Sequence, residues 1–324
     1  MKLMKGFILK VMLITVFVFP LRSIEQYYCT AVDSNYVQHA MHLIGSIQEH
    51  NWEDLSTIFV IDLGLHDEEK RKFESIEKVV VLDLKKTNPS ILTPVTVFQG
   101  DHWKKMVPGS YAWKSVTIKQ VLEEVPYVLW LDAGTTVMAS LNDLFFHIKT
   151  AGHFLCTIGD DVDENGKHAY DVAWGATQYV RDHFLLEEPS YRWLLHNPLV
   201  MGGIIGMARG SQGYTNVLQP LYQLTYDLRF FHDDGTTPNG FGTGRHDMPL
   251  MSVLAFKNGV KVHAQDSYQK EPMFISGQNG HTSLYITWRG EVANDQTSLY
   301  SSRGDYTKCQ DALAHIHYRK IAPR

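Results

Sequence analysis

Cysteine is scarce: Cys29, Cys156 and Cys309 stand far apart in 324 residues, with no CxxC spacing. That excludes a cysteine zinc site and a disulfide scaffold; at most one bridge can form, leaving one thiol. Positive charge is also in short supply. With 30 Lys and Arg against 35 Asp and Glu the net charge is −5, and no basic cluster carries interleaved aromatics, so nucleic acid is not expected as a partner. There are 16 histidines but no HExxH pair, which argues against a metal-dependent hydrolase built on a helix; His315 and His317, two apart, suit one face of a strand. Repeats, low-complexity tracts and coiled-coil heptads are absent, as is any Asn-x-Ser/Thr acceptor, since Asn88 precedes Pro89. No uninterrupted apolar run reaches the length needed to span a bilayer.

What is present begins with a leader-like segment. Lys2 and Lys5 precede an apolar stretch that Lys10 interrupts, Val11 to Phe19 is apolar, and Pro20 and Ser23 follow. A basic start, a short apolar middle and a small residue near a cut form the pattern of a secretory signal. Residues 1–23 are therefore expected to direct export, to the medium, a periplasm or the ER and Golgi lumen. The alternative is a signal anchor that reads Phe7 to Leu21 as one segment and gives a membrane association. Cleavage removes four basic and no acidic residues, taking the charge from −5 to −9. Residues 24–324 carry no linker and are read as one domain.

Within that domain the patterning alternates. Tyr27 to Asp33 reads as a strand ending in an acid, and Ser34-Asn35 caps a helix whose Val37, Ala40, Met41, Ile44 and Ile47 share a face. Thr57 to Asp62 reads as a second strand. A helix from Asp67 to about Ile76 follows, with acids at its positive end, and then a third strand at Lys78–Leu84. Residues 85–110 read as a surface loop and Tyr111–Glu124 as a helix. Strands separated by helices predict a parallel, doubly wound α/β sheet.

The stretch Tyr127-Val-Leu-Trp-Leu-Asp132-Ala-Gly134 is the pivot of the chain. An unbroken apolar run suits a strand buried on both faces, and an acid at its C-terminal end lies where open α/β sheets bind ligands. Asp132 is equally readable as a turn residue. Further on, His153–Ile158 is expected as a strand, Asp160–Asn165 as an acidic turn and 166–196 as an aromatic-rich insertion on the substrate side. Leu199–Met207 is apolar but broken by Gly202-Gly203, which marks either close ligand approach or tight packing. Thr215–Arg229 reads as a helix, Asp233–Gly244 as a mobile loop, Asp247–Phe256 as a helix and Val260–His263 as a short strand.

Several pieces resemble a known family. Ala31-Val-Asp33-Ser-Asn35-Tyr36, the helix ending Gly45-Ser-Ile47 and the strand ending Ile61-Asp-Leu-Gly64 resemble the nucleotide-binding start of GT-A glycosyltransferases. The retaining family 8 group, which includes galactosyltransferases and glycogenin, is the most similar. Tyr111-Ala112, Asp132 at the place of the DxD metal motif, Gly202-Gly203, Arg245-His-Asp247 with Leu250, and His317-Tyr318 with Lys320 and Pro323 follow in the family's order, over about residues 27–323. The departures are Gly134 in place of the second DxD acid, Lys114 where an arginine is frequent, and a final segment without its glycine.

The resemblance implies a GT-A fold, a mostly parallel twisted sheet flanked by helices, and transfer of a sugar from a UDP-type nucleotide sugar to a glycan, lipid or protein acceptor. It implies Ala31, Asp33, Asn35 and Tyr36 at the base and ribose, and Lys114, Asp132, Gly202 and Gly203 at the rest of the donor. It implies Asp132 and His317 on a divalent cation, Mn2+ by family habit, Lys320 on the leaving group and Asp247 near the anomeric carbon. From the residues alone, His317 also reads as a solvated terminal histidine and Asp247 as a helix-start acid. The missing acid leaves the cation either weakly held or replaced by Lys114 and Lys320. It also keeps open a second function, a catalytically silent nucleotide-sugar or glycan-binding protein.

Overall fold

The computed structural model describes residues 24–98, 104–137, 140–158, 168, 170–241, 243–244, 246–263, 286–288 and 310–319. The leader-like segment and the acidic turn at 160–165 lie outside them. The N-terminal half alternates as the periodicity predicts: β1 (Gln26–Val32), α1 (Val37–Asn51), β2 (Leu55–Asp62), α2 (Asp67–Glu74) and β3 (Val79–Asp83). Where a loop is expected, β4 (Pro94–Phe98) and β5 (Lys104–Pro108) pair as an antiparallel hairpin. Next come α3 (Trp113–Glu124), β6 (Tyr127–Leu131), β7 (Thr135–Val137), α4 (Asn142–Ala151) and β8 (His153–Phe154). The short helices α5 (Val172–Gly175) and α6 (Gln178–Phe184) precede β9 (Ile204–Ala208) and α7 (Gln219–Leu224). The series closes with α8 (Asp247–Lys257), β10 (Ile286–Trp288) and α9 (Gln310–Ala314).

The main sheet has the order β3-β2-β1-β6-β9-β8. The first four strands run parallel, and β9 is antiparallel to both β6 and β8. The central strands serve two cores. Val128 and Trp130 of β6 join Cys29 and Ala31 of β1 beneath α3 and α8, whereas Leu129 and Leu131 join Tyr28 and Val32 beneath α1 and α4. This is why the β6 run is apolar at every position: a strand covered on both faces has no solvent side on which to alternate. Each buried Leu, Ile or Val there contributes about 1.5–3 kcal/mol of transfer free energy.

Two expected elements are shorter or more broken than their patterns. β8 stops at Phe154, beyond which Cys156 and Thr157 make only isolated bridges to His263 and Val200. The expected helix over Thr215–Arg229 is a wide turn at Tyr214–Leu218, then α7, then a 3-10 turn at Leu228–Phe230. The C-terminal segment does pack against the body, because a Cβ at Gly45 would overlap the Ala312 carbonyl and glycine lets α9 lie on α1. Among the described residues no helix is long and apolar enough to cross a membrane.

At the β8 edge lie three buried histidines, His147, His153 and His263, with the rings of His147 and His263 5.0 Å apart. Burial pushes His263 down to about 4, helped by His147, Lys261 and His153, and burial lowers His153 as well. A histidine whose folded pKa is depressed takes up its proton more readily in the unfolded chain. Stability is therefore full above about pH 6.5 and drains as pH falls toward 4. Thermal unfolding between pH 7.5 and 4.5 is expected to show the loss, on the order of 2–3 kcal/mol at the acid end, and His263→Phe is expected to flatten it. An unchanged slope in that variant would assign the acid sensitivity elsewhere.

Candidate active site

The C-terminal ends of the parallel strands converge where open α/β sheets place a ligand crevice. The pairing Cys29↔Trp130, carried two residues onward, sets Ala31 beside Asp132. Asp132 leaves β6 with its backbone N–H bonded to the Gly203 carbonyl at 3.0 Å, so the Gly202-Gly203 bend before β9 and the β6 terminus are tied together. The Trp130 indole N–H donates to Asp132 Oδ1 at 2.8 Å and fixes the carboxylate.

Lys114, in the first turn of α3, is the hub. Its side chain is only 5% exposed, and Nζ donates to the Gly202 carbonyl at 2.7 Å, lies 3.1 Å from Asp132 Oδ1 and 3.5 Å from Asp247 Oδ2. Burial by itself would pull this ammonium down, but Asp132 and Asp247 outweigh it and hold Lys114 above the ordinary lysine value. Burial pushes the Asp247 carboxyl up, against the opposing pull of Lys114. Asp247 Oδ2 is buried and has no hydrogen-bond partner among the described residues; its 3.5 Å approach to Lys114 is an ion pair without hydrogen-bond geometry. A Cβ at Gly202 would stand 2.9 Å from that oxygen and 3.2 Å from Nζ, so only glycine leaves room for the triad.

Aromatic rings and strained backbone surround the group. Lys114 Nζ sits 5.6 Å from the ring centres of both Tyr111 and Trp130, and the Tyr111 and His246 rings are 5.1 Å apart. Ser110, Tyr111 and His246 all hold positive φ, at 48°, 67° and 55°. Such conformations cost about 1 kcal/mol or more in a non-glycine residue and gather where the surroundings over-determine them. His246 is braced by its Nδ1–H, which donates to the Phe231 carbonyl at 2.8 Å. Tyr111, Trp130 and His246 fall in stretches that the sequence singles out, but nothing in the sequence marks the strained backbone at Tyr111 and His246.

The expected site residues thus divide. Lys114, Asp132, Gly202, Gly203 and Asp247 meet around one ammonium. Ala31 lies alongside in register, and the loop after β1 carries Asp33, whose Oδ1 accepts from the Asn35 backbone N–H at 3.0 Å, with Tyr36 half-buried against His39. His317 does not join them, which corrects the expected pairing with Asp132. Its ring stacks on Trp52 at 4.0 Å, its N–H donates to Gln48, and its carbonyl accepts from Glu77. Trp52 precedes β2 and Glu77 precedes β3, so His317 is at the N-terminal end of the sheet, the length of β1 and roughly 20 Å away. The packing of α9 on Gly45 and the Tyr318 bridge to Ile76 hold it there. Lys320 lies outside the described residues.

Among the described residues the donor set does not suit a divalent cation. Hard cations take six or more oxygens. Here Gly134 offers no side chain, His317 is at the far end, and Asp132 Oδ1 already serves an ammonium and an indole N–H. Among the described residues, no three His, Cys, Asp or Glu side chains are grouped so as to hold a metal ion.

The comparisons with known proteins bear on this site. The family model described as glycosyl transferase family 8 matches residues 29–191, a span that includes the β1 loop, Lys114 and Asp132. No curated protein sequence matches the chain significantly. Solved structures that resemble it include mouse xyloside xylosyltransferase 1 in its apo form, at 14% identity and TM-score 0.44 over 76% of this chain and 86% of that one. The glycosyltransferase GlyE of Streptococcus pneumoniae TIGR4 shows 13% identity and TM-score 0.41 over 90% and 60%. The galactosyltransferase LgtC, solved with donor and acceptor sugar analogues, shows 11% and 0.45 over 92% and 98%.

Proposed function

The chain belongs to glycosyl transferase family 8 and is a glycosyltransferase of GT-A fold; on that premise we propose that it moves a sugar from a UDP-type nucleotide sugar to a glycan, lipid or protein acceptor at the Lys114 site. The observation that carries the reading is the buried ammonium between two carboxylates at the C-terminal end of the sheet. Such an arrangement suits a substrate that brings both negative phosphates and sugar hydroxyls. In this reading the diphosphate approaches Lys114 and the positive end of α3. The orphaned Asp247 Oδ2 accepts from a sugar hydroxyl near the anomeric carbon, because a buried acceptor left unmade is costly and a ligand hydroxyl satisfies it. Ala31, Asp33, Asn35 and Tyr36 receive the base and ribose. Residues 1–23 direct export or anchor the chain at a membrane.

A thermal-shift screen against nucleotide sugars, followed by assay of donor hydrolysis, tests the reading. Stabilisation by one sugar nucleotide together with release of its nucleoside diphosphate is expected. The missing DxD acid keeps a silent nucleotide-sugar or glycan-binding protein as the second reading, and stabilisation without any turnover would favour it. At the other end of the donor, Asp33→Ala is expected to weaken binding of uridine diphosphate by about 1–3 kcal/mol through loss of a charged hydrogen bond. An unchanged dissociation constant by calorimetry would remove Asp33 from the site.

A further inference from the structure

GT-A glycosyltransferases typically use a divalent cation, yet the residues gathered here are arranged around an ammonium. We infer that this chain transfers sugar without a divalent cation, the ammonium of Lys114 occupying the place beside Asp132 where the ion would sit. The inference rests on the nucleotide-sugar reading of the same site.

Three features carry it. The ammonium is anchored on several sides, by the Gly202 carbonyl at 2.7 Å, Asp132 at 3.1 Å and Asp247 at 3.5 Å, in a cradle that a side chain at Gly202 would fill. A divalent ion on Asp132 Oδ1 would bind at about 2.0–2.6 Å from that oxygen. It would then stand beside Nζ, which approaches the same atom, and two cations would repel in a buried setting where screening is weak. Finally, among the described residues the two further ligands that the resemblance implies are not at the site: Gly134 carries no carboxylate, and His317 is held against Trp52 at the other end of the sheet.

The chemistry balances without a further reagent. The bond between the sugar's anomeric carbon and the β-phosphate oxygen breaks, and its electron pair leaves with the diphosphate beside Lys114. A bond forms between the acceptor hydroxyl oxygen and the anomeric carbon, and the hydroxyl proton passes to the departing phosphate oxygen. Products are the glycosylated acceptor and the protonated nucleoside diphosphate.

The test uses the full chain, stripped with EDTA and dialysed, then assayed with and without manganese. Calorimetry with uridine, guanosine, adenosine and cytidine diphosphates is run beside hydrolysis of the matching sugar nucleotide. One diphosphate is expected to bind with a dissociation constant that manganese changes by less than about threefold, and hydrolysis is expected to persist in EDTA. Binding or turnover that appears only with manganese, or rises tenfold with it, overturns the inference while leaving the glycosyltransferase reading intact. Binding of none of the nucleotides under either condition overturns both. As a second arm, Gly134→Asp combined with Lys114→Ala restores the absent carboxylate and removes the competing ammonium. Among the described glycines, those with positive φ are 64, 109, 152, 210, 235, 240 and 259, so Gly134 sits where an aspartate can follow. That variant is expected to acquire manganese-dependent binding that the native chain lacks. A native chain already as manganese-dependent as the variant contradicts the inference.

Discussion

Lys114→Met is expected to lower glycosyl transfer by about 100- to 1,000-fold per folded molecule, the range seen when a preorganised group that stabilises developing charge is removed. The same substitution strips the partner from two carboxylates, one of them buried. Breaking a buried ion pair from one side costs about 3–5 kcal/mol of stability, so part of the protein is expected to unfold. The double variant Lys114→Met with Asp247→Asn separates the two effects. Removing the stranded charge is expected to recover most of the melting temperature and none of the rate. If rate returns along with stability, Lys114 holds the fold together and does no chemistry.

Asp132 and His317 give the second large expected effect because their outcomes diverge. Asp132→Asn is expected to reduce transfer at least about 100-fold, roughly 2.7 kcal/mol of barrier, since it weakens the group that seats both Lys114 and the donor. His317→Ala is expected to leave transfer unchanged and to lower stability modestly, by about 1 kcal/mol, through loss of the stack on Trp52. Steady-state rates on the two purified variants, with unfolding curves alongside, check both. A 100-fold loss in the His317 variant with an unchanged melting temperature would place the C-terminal segment in the reaction and contradict the position described here.

The contrast shows where sequence reasoning succeeds and where it stops. β1, β2 and β6 are legible because strands covered on both faces leave apolar runs, β3 because its Val-Val-Val-Leu run is apolar although it lies half-exposed at the sheet edge, and α1 because its apolar residues recur at helical spacing. The acid that ends β6 is legible as a site for the same reason: the run says where the strand stops, and sheet geometry says what lies there. The reversed direction of β9 is not legible, since an apolar run reads alike in either direction. The β4–β5 hairpin escapes because prolines at Pro94 and Pro108 read as loop. His317 misleads because an ordered list of motif fragments carries no information about which end of a sheet the chain returns to. That is decided by the contact of α9 with Gly45 and by the Tyr318 bridge. Lys114 is legible as a residue of interest, but its partners depend on a bend at Gly202 that only the folded backbone makes.

Hydrogen exchange on the full chain, with and without the nucleoside diphosphate that binds most tightly, tests the central claim most directly. The account predicts slowed exchange in residues 31–36, 111–116, 130–135 and 202–204, the backbone around Lys114 and the end of β1. Protection confined to residues 48–52, 75–77 and 315–319, the setting of His317 and Trp52, would contradict it.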